Sequence, residues 1–116
     1  MTVKIYHHPR CSKSRQTLAL LTDRGIEPET VLYLETPPST DEILELATLL
    51  GLSPLDFTRT KEAIFKELGL TRKDKRSDEE WAQLLADNPK LVERPIVVAN
   101  GKAALGRPPE NVLDIL

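Results

Sequence analysis

Hydrophobic positions near the N-terminus first alternate and then recur at a helical spacing. Val3 and Ile5 alternate with their neighbours, which is typical of a short strand. Leu18 and Leu21 follow at a helical spacing, and a second strand-like run covers residues 30–34. A strand, a helix and a strand in this order favour parallel pairing of the two strands through a right-handed crossover.

Capping patterns predict helices in the middle of the chain. Ser39 and Glu42 have the spacing of a capping box ahead of an apolar stripe, and Gly51 suits the end of that helix. Ser77 and Glu80 repeat the spacing before another apolar stripe. The segment between the second strand and the next strand-like run is therefore expected to be helical.

A hairpin and a short helix are expected at the C-terminal end. Residues 95–99 form a strand-like run that begins with a proline, which a strand tolerates at its first position. Asn100-Gly101 is a strong signal for a two-residue type I′ turn, and residues 102–105 form the return strand. A last short helix is expected around Val112.

The predicted elements add up to an α/β fold. Their order is βαβα, a helical block at about residues 52–92, and ββα. Without the helical block this is the order of a thioredoxin-like fold, which holds a thiol at the start of its first helix. The length of 116 residues suits one domain, so residues 1–116 are expected to form a single domain with a helical insertion. Because aromatic residues are only 4% of the chain, an aliphatic core is expected.

Charge and composition narrow the class of protein. Sixteen basic and eighteen acidic residues give a net charge of −2, which argues against a nucleic acid or an anionic membrane as partner. No apolar run approaches the roughly 18 residues of a membrane span, and no signal peptide is evident. The chain has one cysteine, so we expect a cytoplasmic protein with a reduced thiol. Its size suggests a monomer.

The single cysteine, Cys11, lies between the first strand and a helix expected to start near Ser12. A helix N-terminus carries partial positive charge and free N–H groups, which stabilise the reactive thiolate. Arg10, Lys13 and Arg15 add positive potential nearby. The alternative is a buried, inert cysteine, but the polar loop around Cys11 favours the reactive thiol.

Several known uses of a thiolate do not fit the surrounding residues. A phosphatase-like loop needs an arginine where this chain has Thr17, and a dithiol oxidoreductase needs a second cysteine where it has Ser14. A metal site at His7, His8 and Cys11 would lack a fourth ligand, and adjacent residues of a strand point to opposite faces. The remaining interpretation is a monothiol that needs an outside thiol, such as glutathione or glutaredoxin, to resolve its covalent intermediate.

Two arginines flank the predicted hairpin. Arg94 precedes its first strand and Arg107 follows its second, so both are expected at the same end of the sheet. Two guanidinium groups at one place suit a tetrahedral oxyanion. The alternative is that both are surface arginines in ion pairs.

Four motifs in register resemble the glutaredoxin-coupled arsenate reductase family, the ArsC-like proteins, and most closely its short YfgD-like subgroup. The resemblance covers essentially the whole chain. The motifs are HHPRCSKSR at residues 7–15, LYLETP at 32–37, ERPIVV at 93–98 and GRPP at 106–109.

The resemblance implies a thioredoxin-like fold with a helical insertion, and it implies a complete site. The site comprises a catalytic cysteine, a histidine that helps to hold the thiolate, three arginines that bind the oxyanion, and a cis-proline after one of them: Cys11, His7, Arg59, Arg94, Arg107 and Pro95. The implied reaction reduces arsenate, or a similar oxyanion, to arsenite through a covalent Cys11 adduct. Glutathione and glutaredoxin act as external reductants, and no metal or other bound cofactor is needed.

Two alternatives come from the same fold. Spx-type regulators bind the RNA polymerase α subunit, but they usually carry a Cys-x-x-Cys switch where this chain has Cys11 and Ser14. A monothiol oxidoreductase that removes glutathione from mixed disulfides would need the same thiol and would use the arginines for glutathione carboxylates.

Overall fold

A four-stranded sheet joins the two ends of the chain. The computed structural model describes residues 2–116. The strands are β1 (Val3–His7), β2 (Glu29–Leu32), β3 (Ile96–Ala99) and β4 (Lys102–Leu105), in the order β2-β1-β3-β4. β1 pairs in parallel with β2 and antiparallel with β3, and β3 forms a hairpin with β4. The parallel pair and the hairpin confirm the sequence prediction and the α/β class.

The chain divides into two compact units. The first comprises the residues up to Thr36 together with Arg94–Leu116, and the second comprises Pro37–Glu93. The insertion predicted at about residues 52–92 falls within the second unit, which also contains the helix after Ser39. The assignment of residues 1–116 to a single domain stays a prediction.

In the first unit, α1 (Ser12–Asp23) and a C-terminal 3-10 helix (Pro109–Ile115) pack against each other beside the sheet. The predicted last helix therefore exists, but with the tighter 3-10 geometry that short segments often adopt. Asn100 and Gly101 both have positive φ, 55° and 72°, as a type I′ turn requires. The hairpin therefore has the turn that its sequence predicts.

One buried cluster of the first unit is aliphatic. Its residues come from β1, α1, β3 and the C-terminal 3-10 helix: Val3, Ile5, Leu21, Val97, Ala99, Val112 and Ile115. This cluster packs α1 against the sheet, and the loop with Cys11 comes directly before α1.

The second unit is helical. It contains α2 (Thr40–Leu50), a 3-10 turn (Pro54–Phe57), α3 (Ala63–Glu67), α4 (Asp78–Asp87) and a second 3-10 turn (Pro89–Leu91). The hydroxyl of Ser39 accepts from the backbone N–H of Glu42 at 3.1 Å, and Ser77 and Glu80 form a full capping box. Both predicted caps therefore begin helices at the expected residues.

The expectation of an aliphatic core is wrong for the second unit. Phe57, Phe65 and Trp81 are buried there, and the last two stack with ring centroids 6.2 Å apart. Tyr6 and Tyr33 of the first unit are buried as well, so all five aromatic residues of the chain are in the interior. A low aromatic count does not keep aromatic residues out of a core, because each buries a large apolar area.

Candidate active site

Cys11 is the N-cap residue of α1, at the position where the sequence predicts the start of this helix. Its backbone is extended, with φ −88° and ψ 124°, while its carbonyl already accepts from the N–H of Arg15 at 3.0 Å. The thiol is half-buried. The backbone N–H groups of Lys13 and Ser14, in the first turn of the helix, lower the pKa of the thiol. These are helix N-terminal donors without partners inside the helix, and they are free to stabilise a negative sulfur.

The surroundings of Cys11 favour its thiolate. Burial on its own would raise the pKa of the thiol. The N–H of Ser14, the guanidinium of Arg94 and the N–H of Lys13 outweigh it, so the pKa of Cys11 lies below its ordinary value. The reactive form of the cysteine is therefore more populated at neutral pH than in an unfolded chain.

Arg94 and Arg107 meet at the same end of the sheet, as the hairpin pattern predicts. Nη1 of Arg107 lies 3.1 Å from the carbonyl oxygen of Arg94, to which it donates, and 3.9 Å from the sulfur of Cys11. Arg94 also donates to Cys11, and its Nη1 makes a long contact of 3.5 Å with the Tyr33 hydroxyl. The hydrogen bond and the charge of Arg94 both lower the pKa of Cys11.

Tyr33, which contacts this arginine, follows β2 because the strand is shorter than predicted. The sequence pattern extends the strand over residues 30–34, but β2 ends at Leu32, and a turn follows in which the N–H of Glu35 bonds to the carbonyl of Leu32 at 2.9 Å. Tyr33 thereby leaves the strand and is fully buried. Sequence reasoning did not connect this tyrosine with the site.

A cis-proline and a glycine shape the loops that carry the arginines. The Arg94–Pro95 peptide bond is cis, as the resemblance implies, and Arg107–Pro108 is also cis, which was not predicted. The N–H of Gly106 donates to the carbonyl of Pro95 at 2.9 Å. A Cβ at Gly106 would lie 2.5 Å from Oγ1 of Thr17 and 2.6 Å from Cγ of Pro95, which is closer than any real contact. Because glycine has no side chain, Gly106 can pack directly on α1 and on the cis-proline, next to Arg107.

His7 is buried at the end of β1, with 6% of its surface exposed. Its Nδ1 lies 2.6 Å from the hydroxyl oxygen of Ser14. Burial, with a smaller effect from the charge of Arg15, lowers the pKa of His7, so the ring is neutral at pH 7. The role of His7 in holding the thiolate stays a prediction. Ser14, which the sequence marked only as a missing second cysteine, is the partner that the structure gives to the ring.

Arg59 lies in the second unit and is held by two carboxylates. Its Nε donates to Glu62 at 2.9 Å and its Nη1 to Glu93 at 2.6 Å. The side chain is only 23% exposed. Burial would lower the pKa of Arg59, but the two carboxylates raise it above its ordinary value. The structure thus brings Cys11, Arg94 and Arg107 together, while the oxyanion-binding role of Arg59 stays a prediction.

Two further observations concern residues 2–116 only. No group of three or more histidine, cysteine, aspartate or glutamate side chains in this range is arranged to hold a metal ion. No helix in the same range is both long and apolar enough to cross a membrane.

Comparisons with known proteins agree with one another. A model of the ArsC family matches residues 6–115. The uncharacterised protein YfgD of Escherichia coli K12 is 56% identical over 98% of this chain and 96% of that protein. An arsenate reductase of Neisseria meningitidis serogroup B is 50% identical over 98% of this chain and 97% of that protein. The structure of an arsenate reductase from Vibrio cholerae has a TM-score of 0.95 at 52% identity, covering 100% of this chain and 98% of that chain. This likeness confirms the thioredoxin-like fold.

Proposed function

Because the chain belongs to the ArsC family, we propose that it is an arsenate reductase that uses Cys11 as its nucleophile and external thiols as its reductant. The observation that carries the proposal is the juxtaposition of a thiol whose pKa is lowered with two arginine side chains, Arg94 and Arg107. A thiolate supplies the attacking atom, and the guanidinium groups neutralise an oxyanion that stays charged throughout the reaction.

The proposed reaction begins with a covalent step. The Cys11 thiolate attacks arsenic, a sulfur–arsenic bond forms, and one arsenate oxygen leaves as water after it takes up protons. Glutathione then displaces a second oxygen as water and becomes bonded to arsenic. A glutaredoxin thiol attacks the glutathione sulfur, and the bond between that sulfur and arsenic breaks. The electron pair of this bond stays on arsenic and reduces As(V) to As(III). A mixed disulfide of glutathione and glutaredoxin forms, and hydrolysis releases arsenite and Cys11.

The dependence on external thiols follows from the residue at position 14. Ser14 lies in the first turn of α1, three residues after Cys11, where a dithiol enzyme has its resolving cysteine. With a single cysteine in the sequence, the chain has no thiol of its own to complete the two-electron reduction. The family resemblance assigns Arg59 to the oxyanion as a third arginine, and the proposal retains that assignment.

The test is arsenate-dependent oxidation of NADPH in the presence of glutathione, glutaredoxin and glutathione reductase. We expect turnover by the wild type and a loss of more than about 100-fold in Cys11→Ser, because the nucleophile is removed. A parallel assay replaces glutathione and glutaredoxin by thioredoxin and its reductase, and turnover there alone would refute the glutaredoxin coupling. Full activity of Cys11→Ser would refute the mechanism. Activity on a glutathionylated peptide without activity on arsenate would replace the proposal by deglutathionylation.

A further inference from the structure

Ser14 bonds in two directions from the first turn of α1. Its side chain is fully buried, with 0% exposure. Its backbone N–H, in the first turn of the helix that Cys11 begins, lowers the pKa of the Cys11 thiol. Its hydroxyl oxygen accepts from the backbone N–H of His8 at 3.0 Å and lies 2.6 Å from Nδ1 of His7. One residue therefore connects the reactive thiol to the end of β1.

The direction of the bond between Ser14 and His7 depends on the tautomer of the His7 ring, which the other partners of the Ser14 hydroxyl help to assign. A serine hydroxyl has one proton and two acceptor lone pairs, and one lone pair is occupied by the N–H of His8. The His7 ring is neutral at pH 7, so one of its two nitrogens is an acceptor. A buried hydroxyl proton needs an acceptor close by, and Nδ1 of His7 lies 2.6 Å from the hydroxyl oxygen. We therefore assign the Ser14 hydroxyl as donor to Nδ1 and place the ring proton of His7 on Nε2.

We propose that Ser14 is a positioning residue, which ties the His7 ring and the loop backbone at His8 to the first turn of α1 and thereby keeps the helix N–H groups directed at the Cys11 sulfur. It does not contact the substrate in this proposal. Its effect reaches Cys11 through the backbone of the first turn, because a loop that is anchored on both sides cannot move the sulfur away from those donors.

The inference rests on the proposed function only in that Cys11 is the reacting thiol. Its test measures the thiol itself by alkylation and by the ultraviolet absorbance of the thiolate, with no arsenate present. A failure of arsenate turnover and a failure of this inference are therefore separate results.

The main experiment compares Ser14→Ala with Ser12→Ala. Ser12 is exposed in the same turn of α1, so Ser12→Ala removes a hydroxyl without touching His7. We expect Ser14→Ala to raise the pKa of Cys11 by about half a unit to one unit, which lowers the thiolate fraction by about three- to tenfold at a pH below the pKa. Ser12→Ala should leave the pKa where it is in the wild type. Equal pKa values of Cys11 in the two variants would overturn the proposal.

A measurement on the wild type does not depend on whether Ser14→Ala folds. Nitrogen-15 spectra of the imidazole distinguish a ring protonated on Nε2 from one protonated on Nδ1. We expect the Nε2–H tautomer of His7 at neutral pH, with a hydrogen-bonded Nδ1. A ring that carries its proton on Nδ1 would overturn the assignment of Ser14 as donor, and with it the proposal.

Discussion

Arg94 and Arg107 in the first unit and Arg59 in the second are the same residue type but have different acceptors. The contacts of the first two include the Cys11 sulfur, a backbone carbonyl and the hydroxyl of Tyr33. Arg59 donates to two carboxylates, Glu62 and Glu93. The first two therefore lie against the reactive thiol, whereas the charge of Arg59 is balanced by two carboxylates.

The difference shows that an arginine can be assigned to an anion site only when its acceptors are known. The charge of Arg94 lowers the pKa of Cys11 and favours the thiolate. The two carboxylates raise the pKa of Arg59, and an incoming oxyanion would have to compete with them. Of the four predictions below, which begin with the largest expected effect, the first and the last test this contrast, and the other two test the packing and the thiol beside Arg94 and Arg107.

Replacing Arg94 should have the largest effect. We expect Arg94→Ala to lower kcat for arsenate by about 100-fold, the effect typical of a lost transition-state donor, and also to raise the pKa of Cys11. Arg59→Ala should leave the pKa of Cys11 unchanged. The measurements are the coupled arsenate assay and the pH dependence of alkylation of Cys11 by iodoacetamide. If Arg59→Ala raised the thiol pKa as much as Arg94→Ala, the contrast between the two arginines would be false.

A methyl group at Gly106 should disturb the first unit. The added Cβ would overlap the side chains of Thr17 and Pro95, so we expect Gly106→Ala to lower the free energy of unfolding by about 1–3 kcal/mol, as overpacking of a tight site does. The variant should also react more slowly at Cys11, because the residue before Arg107 is displaced. Lys102→Ala, at an exposed position of the same hairpin, is the control. Equal denaturant midpoints for the two variants would contradict the close packing.

The lowered pKa of Cys11 should make stability depend on pH. The folded chain binds the thiol proton less tightly than the unfolded chain, so the stabilisation is fully present above the ordinary thiol pKa of about 8.5. It is lost as the pH falls through the lowered pKa of the folded state. We therefore expect the difference in unfolding free energy between wild type and Cys11→Ser to shrink from alkaline to acidic pH. A difference independent of pH in denaturant titrations would contradict the lowered pKa.

Local patterns and sequence motifs were sufficient to predict much of this molecule. The turn at Asn100-Gly101, the caps at Ser39 and Ser77, and the position of Cys11 at a helix start depend on a few neighbouring residues, and the structure agrees with each. The proximity of Arg94 and Arg107 also follows from the local sequence, because the two ends of a hairpin are close whatever surrounds them.

The sequence patterns did not predict contacts between residues that are distant along the chain. The pairing of Arg59 with Glu93 spans 34 positions and that of Arg94 with Tyr33 spans 61, and no periodicity encodes either. The hydrogen bond from Ser14 to His7 spans only seven positions, but it depends on the angle at which β1 enters the loop before α1. The packing of Gly106 on Thr17 likewise appears only once the hairpin and α1 are placed together.

The smallest effect is expected at the carboxylates of the second unit. Glu93→Gln removes one of the two negative partners of Arg59 but keeps a hydrogen-bond acceptor, so we expect a loss of about 1 kcal/mol or less in unfolding free energy. Salt should reduce the loss, because the pair is partly exposed and therefore screened. Glu45→Gln, on the exposed face of α2, removes the same charge without a contact to Arg59 and is the matched control. If the two variants lost equal stability at low and high salt, the ion pair between Glu93 and Arg59 would not stabilise the fold, and the contrast would rest on Glu62 alone.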